Sequence, residues 1–456
     1  MKKFKFKKLI CLFLAAAMLA LCACTAAEKP QNGSTAAPDS TPQNAAENTP
    51  SGRGARLRKL SEGVTPASMR GRSADPAFSA AQADFALGLF KNGLTRGENS
   101  LVSPLSVLLA LAMTANGADG ETLAEMERTL GGLSIDELNE YLYTYMNALV
   151  SNENAKVNIA NSIWYRADEG EFDPAVDCEP LFTPNAEFLA KNAAVYDAEI
   201  FSGVFDGELL DALNDWVKEH TDGMIERILD EIDPLSVMYL VNTLLFDAKW
   251  DEPYYERNVD TGVFTSIGGE RREVEMMHGT EHTFYRGANC TGFAKYYLNS
   301  PYAFVALLPD EGVDLYDFIN RLTGEELLSM LQNPEQQCAV LTAMPKFSFD
   351  YSVELSNALS AMGMASAFNP DAADFSRMGE LAQELPLYIG EVIHKTHIEV
   401  GELGTRAGAA TLVDMRAGSA FNPEIREVTL DRPFVFMIMD MNTNTPLFIG
   451  AVTSVN

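Results

Sequence analysis

Residues 394–438 read HKTHIEVGELGTRAGAATLVDMRAGSAFNPEIREVTLDRPFVFMI, and this stretch decides the fold. Side chains of an extended chain alternate between two faces. Between residues 405 and 417, one alternating set carries no charge and consists of Thr405, Ala407, Ala409, Thr411, Val413, Met415 and Ala417. The interleaved set holds all three charges, which are Arg406, Asp414 and Arg416. The pattern predicts that a sheet can receive this segment with its small, uncharged face inward.

The same segment is a weak strand by intrinsic propensity. Gly404, Gly408 and a run of alanines disfavour a strand and favour an exposed loop. The sequence is therefore compatible with two states of the segment, a loop and a strand. Two apolar strands follow, at 435–439 and 447–452, and the turn residues 442–445 between them predict a hairpin.

Two motifs in this stretch resemble the serpin family. Residues 402–411, ELGTRAGAAT, are similar to the hinge of the serpin reactive loop, and residues 428–438, VTLDRPFVFMI, are similar to the signature that follows that loop. Further similar stretches occur at residues 99–106, 117–122, 214–223, 240–250 and 373–376. The resemblance covers the chain from about residue 78 to residue 452.

The resemblance implies an α+β serpin fold, with about eight to nine helices packed on three β-sheets and an exposed reactive loop near the C-terminus. Local signals agree with this fold class. Ser103 followed by Pro104 predicts the start of a helix over 105–115. The almost continuous apolar run 237–246 predicts a strand that is covered on both faces, and 340–347 reads as another strand.

The N-terminus carries the features of an export signal. Five lysines lie in the first eight residues, and an apolar run over 9–21 follows that is short for a membrane span. Residues 21–24, LCAC, resemble a bacterial lipobox in which Cys24 becomes the lipid-modified first residue, with Cys22 or an ordinary signal peptide as alternatives. We expect an exported protein on the extracellular face, either lipid-anchored to the bacterial cell membrane or released.

Three regions follow from this organisation. Residues 1–23 are the predicted signal peptide, and residues 24–75, rich in Ala, Pro, Ser and Thr, are a predicted lipidated, disordered tether. Residues 76–456 form the predicted serpin domain. The tether contains a basic cluster between residues 53 and 72, which is compatible with a position near anionic lipid. The net charge of −30 argues against binding to nucleic acid.

Catalytic and metal-binding motifs are missing from the sequence. It contains no HExxH, GxSxG or phosphate-binding glycine loop. Three cysteines remain after the export signal, and we interpret them as buried thiols: Cys178, Cys290 and Cys338. The pairs His278/His282 and His394/His397 have helical spacing, but no ligand signature supports either pair, so we expect neither metal nor cofactor. A hydrolase with an unrecognised triad is a second alternative.

The resemblance implies an inhibitor that a serine protease attacks as a substrate. The protease would cleave the loop and remain attached as an acyl-enzyme, while the freed segment from Gly404 inserts into the main sheet. Some fourteen residues at about 3.3 Å each would carry the protease roughly 45 Å. At about 1 kcal/mol for each new hydrogen bond, insertion gains on the order of 10 kcal/mol. We expect a monomer whose partner is this protease.

Site residues are carried over from the resemblance by position. Gly404 is the pivot, and the hinge consists of Glu402, Thr405, Ala407, Ala409 and Thr411. The polar cluster beneath the sheet, called the shutter, consists of Ser103, Ser106, Asn242 and His394, and Trp250 marks the breach, where the loop enters. Leu403, Arg406 and Gly408 depart from the usual pattern.

The spacing from Glu402 places the scissile bond between Gly418 and Ser419, which suits an elastase-like or subtilisin-like protease. Arg416–Ala417 and Phe421–Asn422 remain alternatives, with trypsin-like and chymotrypsin-like targets. The alternative function is a non-inhibitory serpin that acts as a surface binding or adhesion lipoprotein. The inserting face carries neither charge nor proline, which favours the inhibitor.

Overall fold

The computed structural model describes residues 56–173, 179–335, 338–382, 386–406 and 424–455. The helices in these ranges are α1 (Pro76–Asn92), α2 (Pro104–Ala115), α3 (Gly120–Thr129), α4 (Ile135–Ala148), α5 (Ala186–Tyr196), α6 (Gly207–His220), α7 (Leu315–Arg321), α8 (Gly324–Gln332) and α9 (Ser356–Met362). The strands are β1 (Leu57–Lys59), β2 (Ser100–Val102), β3 (Ala155–Arg166), β4 (Phe182–Pro184), β5 (Glu199–Gly203), β6 (Met238–Lys249), β7 (Val259–Thr265), β8 (Arg271–Glu281), β9 (Thr283–Arg286), β10 (Cys290–Tyr296), β11 (Tyr302–Pro309), β12 (Cys338–Pro345), β13 (Phe347–Glu354), β14 (Gly379–Leu381), β15 (Ile393–Val400), β16 (Gly404–Thr405), β17 (Glu424–Thr429), β18 (Phe434–Asp440) and β19 (Thr445–Val452).

Three large sheets organise these strands. The main sheet has seven strands in the order β1-β5-β3-β6-β16-β15-β13. A six-stranded sheet has the order β2-β19-β18-β11-β10-β9, and a four-stranded sheet has the order β17-β12-β8-β7. Strands β14 and β4 form a separate two-stranded ribbon. The predicted α+β fold, with helices packed on three sheets, is confirmed, and the ribbon is an addition to it.

Both faces of the main sheet are covered. The large core includes the fully buried strands β11 and β18, together with α1 and α2. A smaller core lies under α6, where Trp164 stacks on Phe201 with ring centroids 4.0 Å apart. Side chains of β6 contribute to both cores, which explains why this strand is apolar along almost its whole length.

Helix α2 begins as its sequence predicts. The Ser103 side chain accepts a hydrogen bond from the Ser106 amide, and Pro104 occupies the first turn, where its missing N–H is not needed. The helix holds Ser103 and Ser106 next to the main sheet. The strand predicted over 340–347 is wrong in one respect, because the chain passes from β12 to β13 at Lys346 and the two strands belong to different sheets.

The folded part begins upstream of the predicted boundary at residue 76. Strand β1 pairs with β5 at the edge of the main sheet, and Arg56 contacts both Glu169 (2.6 Å) and Asp206 (2.5 Å). The Arg72 guanidinium lies 4.5 Å from the centre of the Tyr141 ring. The last twenty residues assigned to the tether thus bind the body, because their arginines meet carboxylates and aromatic rings that composition does not reveal. The predicted signal peptide and Cys24 lie outside the described residues.

Candidate functional site: the gap in the main sheet

A two-residue strand occupies the top of a gap in the main sheet. Strand β16 pairs Gly404 with Lys249 and Thr405 with Ala248 on β6, and Thr405 with Val400 on β15. A cleft of about 730 Å³, lined by residues of β6 and β15, extends from this point. Within the described ranges, β16 is the one strand that pairs with both edges of the gap. The sheet therefore presents two strand edges to a further strand.

Trp250 fixes the chain where it enters the gap. Its indole is buried, stacks on the Tyr297 ring at 4.4 Å, and donates a hydrogen bond from Nε1 to the Gly401 carbonyl at 2.9 Å. The Trp250 amide donates to the Leu403 carbonyl, also at 2.9 Å. Tyr297 continues the chain of contacts, because its hydroxyl lies 2.6 Å from the Thr405 hydroxyl. The first inserted residues are thus held by one aromatic pair.

Charged side chains lie near this aromatic pair. The Lys295 ammonium is almost fully buried, donates to Glu281 at 2.8 Å and to the Glu252 carbonyl at 2.7 Å, and lies 5.5 Å from the Trp250 ring centre. Glu402, just before the pivot, forms an ion pair with Lys346. No motif in the sequence indicated these lysines or Tyr297. A single lysine in the otherwise uncharged strand β10 was the signal for Lys295, because a buried lysine needs a partner.

A second polar cluster lies on the β15 side of the cleft. The Ser103 amide donates to His394 Nε2 at 2.9 Å, and the Ser103 hydroxyl donates to the Leu447 carbonyl at 2.8 Å. Burial lowers the pKa of His394 to about 4. The imidazole is therefore neutral at neutral pH, as an acceptor nitrogen must be. The structure thus brings Ser103 and Ser106 together with His394.

Asn242 belongs to a different cluster, on the β6 side of the cleft. Its amide nitrogen donates to Asn161 Oδ1 at 2.7 Å, and the Asn161 amide donates to the Tyr196 carbonyl at 2.7 Å. Asn242 Oδ1 and the Thr243 hydroxyl are buried, line the cleft and have no hydrogen-bond partner among the described residues. A buried polar group without a hydrogen-bond partner costs free energy, so the β6 edge offers hydrogen-bonding atoms to a strand that enters the gap.

Comparison with known proteins identifies the family. A family model described as Serpin (serine protease inhibitor) matches residues 80–455. The chain belongs to the serpin family. Serpin B6 of Macaca fascicularis is 30% identical to this serpin over 389 residues, which cover 82% of this chain and 98% of that protein. Leukocyte elastase inhibitor A of Mus musculus is 29% identical, with coverages of 82% and 99%.

Solved structures agree with this assignment. The thermophilic serpin tengpin in its native state is 43% identical, with a TM-score of 0.80, and the match covers 88% of this serpin and 100% of that chain. Tengpin in its latent state gives a TM-score of 0.74 at 41% identity, covering 85% and 100%. Family members of this kind are described as protease inhibitors rather than as enzymes.

Several predicted site residues of this serpin lie outside the described residues. They are Ala407, Ala409, Thr411, Gly418, Ser419 and Cys24, together with the alternative bonds at 416–417 and 421–422. Their roles stay predictions. The structure places the other hinge residues, Glu402, Gly404 and Thr405, at the top of the gap beside Trp250.

Two of the remaining histidines of this serpin contact carboxylates, whereas His282 is exposed. His278 contacts Asp260 at 2.9 Å, and His397 contacts Asp350 at 2.7 Å. Cys290 and Cys338 are buried free thiols, whereas Cys178 lies outside the described residues. The described ranges contain no group of three potential metal ligands and no helix long and apolar enough to cross a membrane.

Proposed function

We propose that this serpin inhibits serine proteases as a suicide substrate, by inserting its cleaved loop into the gap of the main sheet. The observation that carries the proposal is β16, two residues long, at the head of a cleft bounded by two strand edges. The segment that follows β16 has the alternating pattern of small residues that such a slot requires. Strand β16 is therefore the start of a strand that the residues after Thr405 are proposed to extend.

The register of β16 supports this continuation. Each step forward along the loop is one step back along both β6 and β15, because the pairing is antiparallel. In that register Thr411 falls between Asn242 and His394. The Asn242 Oδ1 atom, unpaired among the described residues, would then meet a hydroxyl. In this register the polar side chain of Thr411 thus pairs with the polar side chains of Asn242 and His394 on the two edges of the gap.

The proposed chemistry belongs to the attacking protease. Its serine hydroxyl adds to the carbonyl carbon of Gly418, the bond to the Ser419 nitrogen breaks, and the new amino terminus leaves while the protease stays esterified to Gly418. Strand β6 has 12 residues, so insertion along it moves the ester roughly 40 Å. Hydrogen bonds worth about 1 kcal/mol each then yield on the order of 10 kcal/mol, which is comparable with the stability of a small domain.

The proposed targets are elastase-like or subtilisin-like proteases. Gly418 is small, and such enzymes accept small residues before the cleaved bond. The relative named leukocyte elastase inhibitor A is consistent with this class. The finer assignment of the bond rests on the spacing from Glu402.

The proposed location is the outer surface of a bacterial cell. Residues 1–23 would direct export, and a lipid on Cys24 would hold the monomeric inhibitor at the membrane. Because the folded part reaches back to Arg56, the proposed tether consists of the residues between Cys24 and Arg56. Cleavage within this tether would release the inhibitor.

A denaturing gel after mixing with pancreatic elastase or subtilisin tests the proposal. We expect a band at the sum of the two masses less the 38-residue fragment 419–456, which denaturation releases, and mass spectrometry should find that fragment beginning at Ser419. A protease whose serine has been blocked with a sulfonyl fluoride is the control and should give no such band. Cleavage of the loop without a covalent complex would refute inhibition and favour the alternative, a surface binding or adhesion lipoprotein.

A further inference from the structure

Arg406 lies at the point where the chain turns out of the main sheet. Its amide donates to the Glu399 carbonyl at 2.8 Å, so the ladder with β15 reaches one residue beyond β16. Its φ angle of 47° is left-handed, a conformation that residues other than glycine rarely adopt. Arg406 is therefore the first residue that must change its backbone conformation if the strand is to grow.

Extension of the β16 register gives Arg406 two acidic neighbours. The next pair after Thr405 and Ala248 joins position 406 to Asp247 on β6. The next pair on the other side joins it to Glu399 on β15. All three side chains then share the face of the sheet opposite Thr405, because directly paired residues point the same way. An extended Arg406 would lie between two carboxylates.

The present contacts of Arg406 leave its guanidinium incompletely bonded. Nη2 donates to the Asp222 carbonyl at 3.2 Å, while Nη1 is buried without a hydrogen-bond partner among the described residues. A guanidinium is best satisfied by a carboxylate, which can accept two hydrogen bonds at once. Asp247 and Glu399 can supply such an acceptor in the extended state.

Asp247 already interacts with this group of charges. Burial raises the pKa of Asp247, and the positive charges of Arg406, Lys156 and Lys249 oppose that shift, whereas Asp222 adds to it. Lys156 is itself engaged in an ion pair with Asp222. Arg406 is thus the positive charge whose position changes during insertion.

We propose that Arg406 is a positioning residue that pairs with Asp247 and so fixes the register in which the loop enters the sheet. The inference rests on the proposed insertion. A slip by one residue would turn the small face of the loop outward and Arg406 toward the core. The Arg406–Asp247 pair opposes that slip at the first step, before the hinge residues after Thr405 enter the sheet.

A charge-swap cycle tests the pair, with Arg406→Glu, Asp247→Lys and the double variant. The readout is the number of inhibitor molecules consumed for each elastase molecule trapped. Each single change should raise this number about fivefold, and the double variant should return it to within about twofold of the natural protein, since the coupling of contacting charges is lost and then restored. Arg271→Glu, at the exposed first residue of β8, is the matched control and should leave the number unchanged.

Two results would overturn the inference. One is normal trapping by Arg406→Glu, and the other is a double variant no better than the worse single variant. If a charge-reversed variant fails to fold, Arg406→Gln and Asp247→Asn replace it. The neutral double variant should then consume no more inhibitor molecules for each trapped elastase than one neutral single variant does. A natural protein that is cleaved without trapping elastase or gaining heat stability would instead overturn the proposed function, and this inference with it.

Discussion

Replacing Ala409 by arginine perturbs the proposed insertion at a defined depth. In the register of β16, residue 409 falls between Leu244 and Thr396, on the face of the sheet that packs against the large core. No acidic side chain stands at that level on either strand edge. The new guanidinium would therefore be buried without a partner, a cost of several kcal/mol.

The magnitude follows from how far insertion proceeds. Only the residues before 409 can enter freely, so more than half of the ladder along the 12 residues of β6 is lost. The gain of about 10 kcal/mol for full insertion then falls to a few kcal/mol, from which the burial cost is subtracted. We expect the protease to cleave the Ala409→Arg variant at a normal rate and then to be released intact.

Titration of elastase with the variant measures this outcome. The natural protein should trap nearly one protease per molecule, whereas Ala409→Arg should need more than about ten molecules per trapped protease. Ala409→Thr is the matched control, because a small uncharged residue fits the slot as Thr405 does. Covalent complexes formed by Ala409→Arg at the natural yield would refute the reasoning.

Three further predictions concern stability. Burial lowers the pKa of His394 to about 4, below its unfolded value of about 6.5, so the free energy of unfolding should fall by about 3 kcal/mol as the pH drops from the higher value to the lower. Urea unfolding at pH 7 and pH 4.5 measures this loss, and His394→Gln should remove most of it. Tyr297→Phe, which loses the hydrogen bond to Thr405, should lower the free energy of unfolding by about 1 kcal/mol, whereas Tyr285→Phe should not, since the buried Tyr285 hydroxyl has no partner among the described residues. A chain that starts at residue 76 should melt at a lower temperature than one that starts at residue 56, because β1 is lost; equal melting would contradict the pairing with β5.

The strands of the core were predictable from the sequence. Strands β6 and β18 pack against the cores, and the continuous apolar runs at 237–246 and 435–439 record this directly. The start of α2 was equally clear, because Ser103 and Pro104 act through local hydrogen bonding and a fixed backbone angle. Features that depend on neighbouring residues, such as this helix start, can therefore be read directly from the sequence.

The pairing of distant segments was not predictable. Nothing in the tether composition indicates that Leu57 pairs with Gly203, or that Arg56 meets Asp206. The division of the shutter residues, with His394 bonded to Ser103 and Asn242 bonded to Asn161, likewise depends on which strands flank the gap. The register of strand pairing and the partners of buried polar atoms arise from tertiary packing. The alternation of side chains along one strand does not encode them.

The melting temperature before and after cleavage of the loop tests the central claim most directly. The natural protein is nicked near Gly418 by a protease that is then inactivated, and both forms are heated in parallel. The unfolding entropy is about 2.1 cal/mol/K per residue over roughly 400 residues, so insertion worth about 10 kcal/mol predicts that the nicked protein melts roughly 12 °C higher than the intact protein. A nicked protein that melts at or below the temperature of the intact protein would contradict insertion into the gap between β6 and β15.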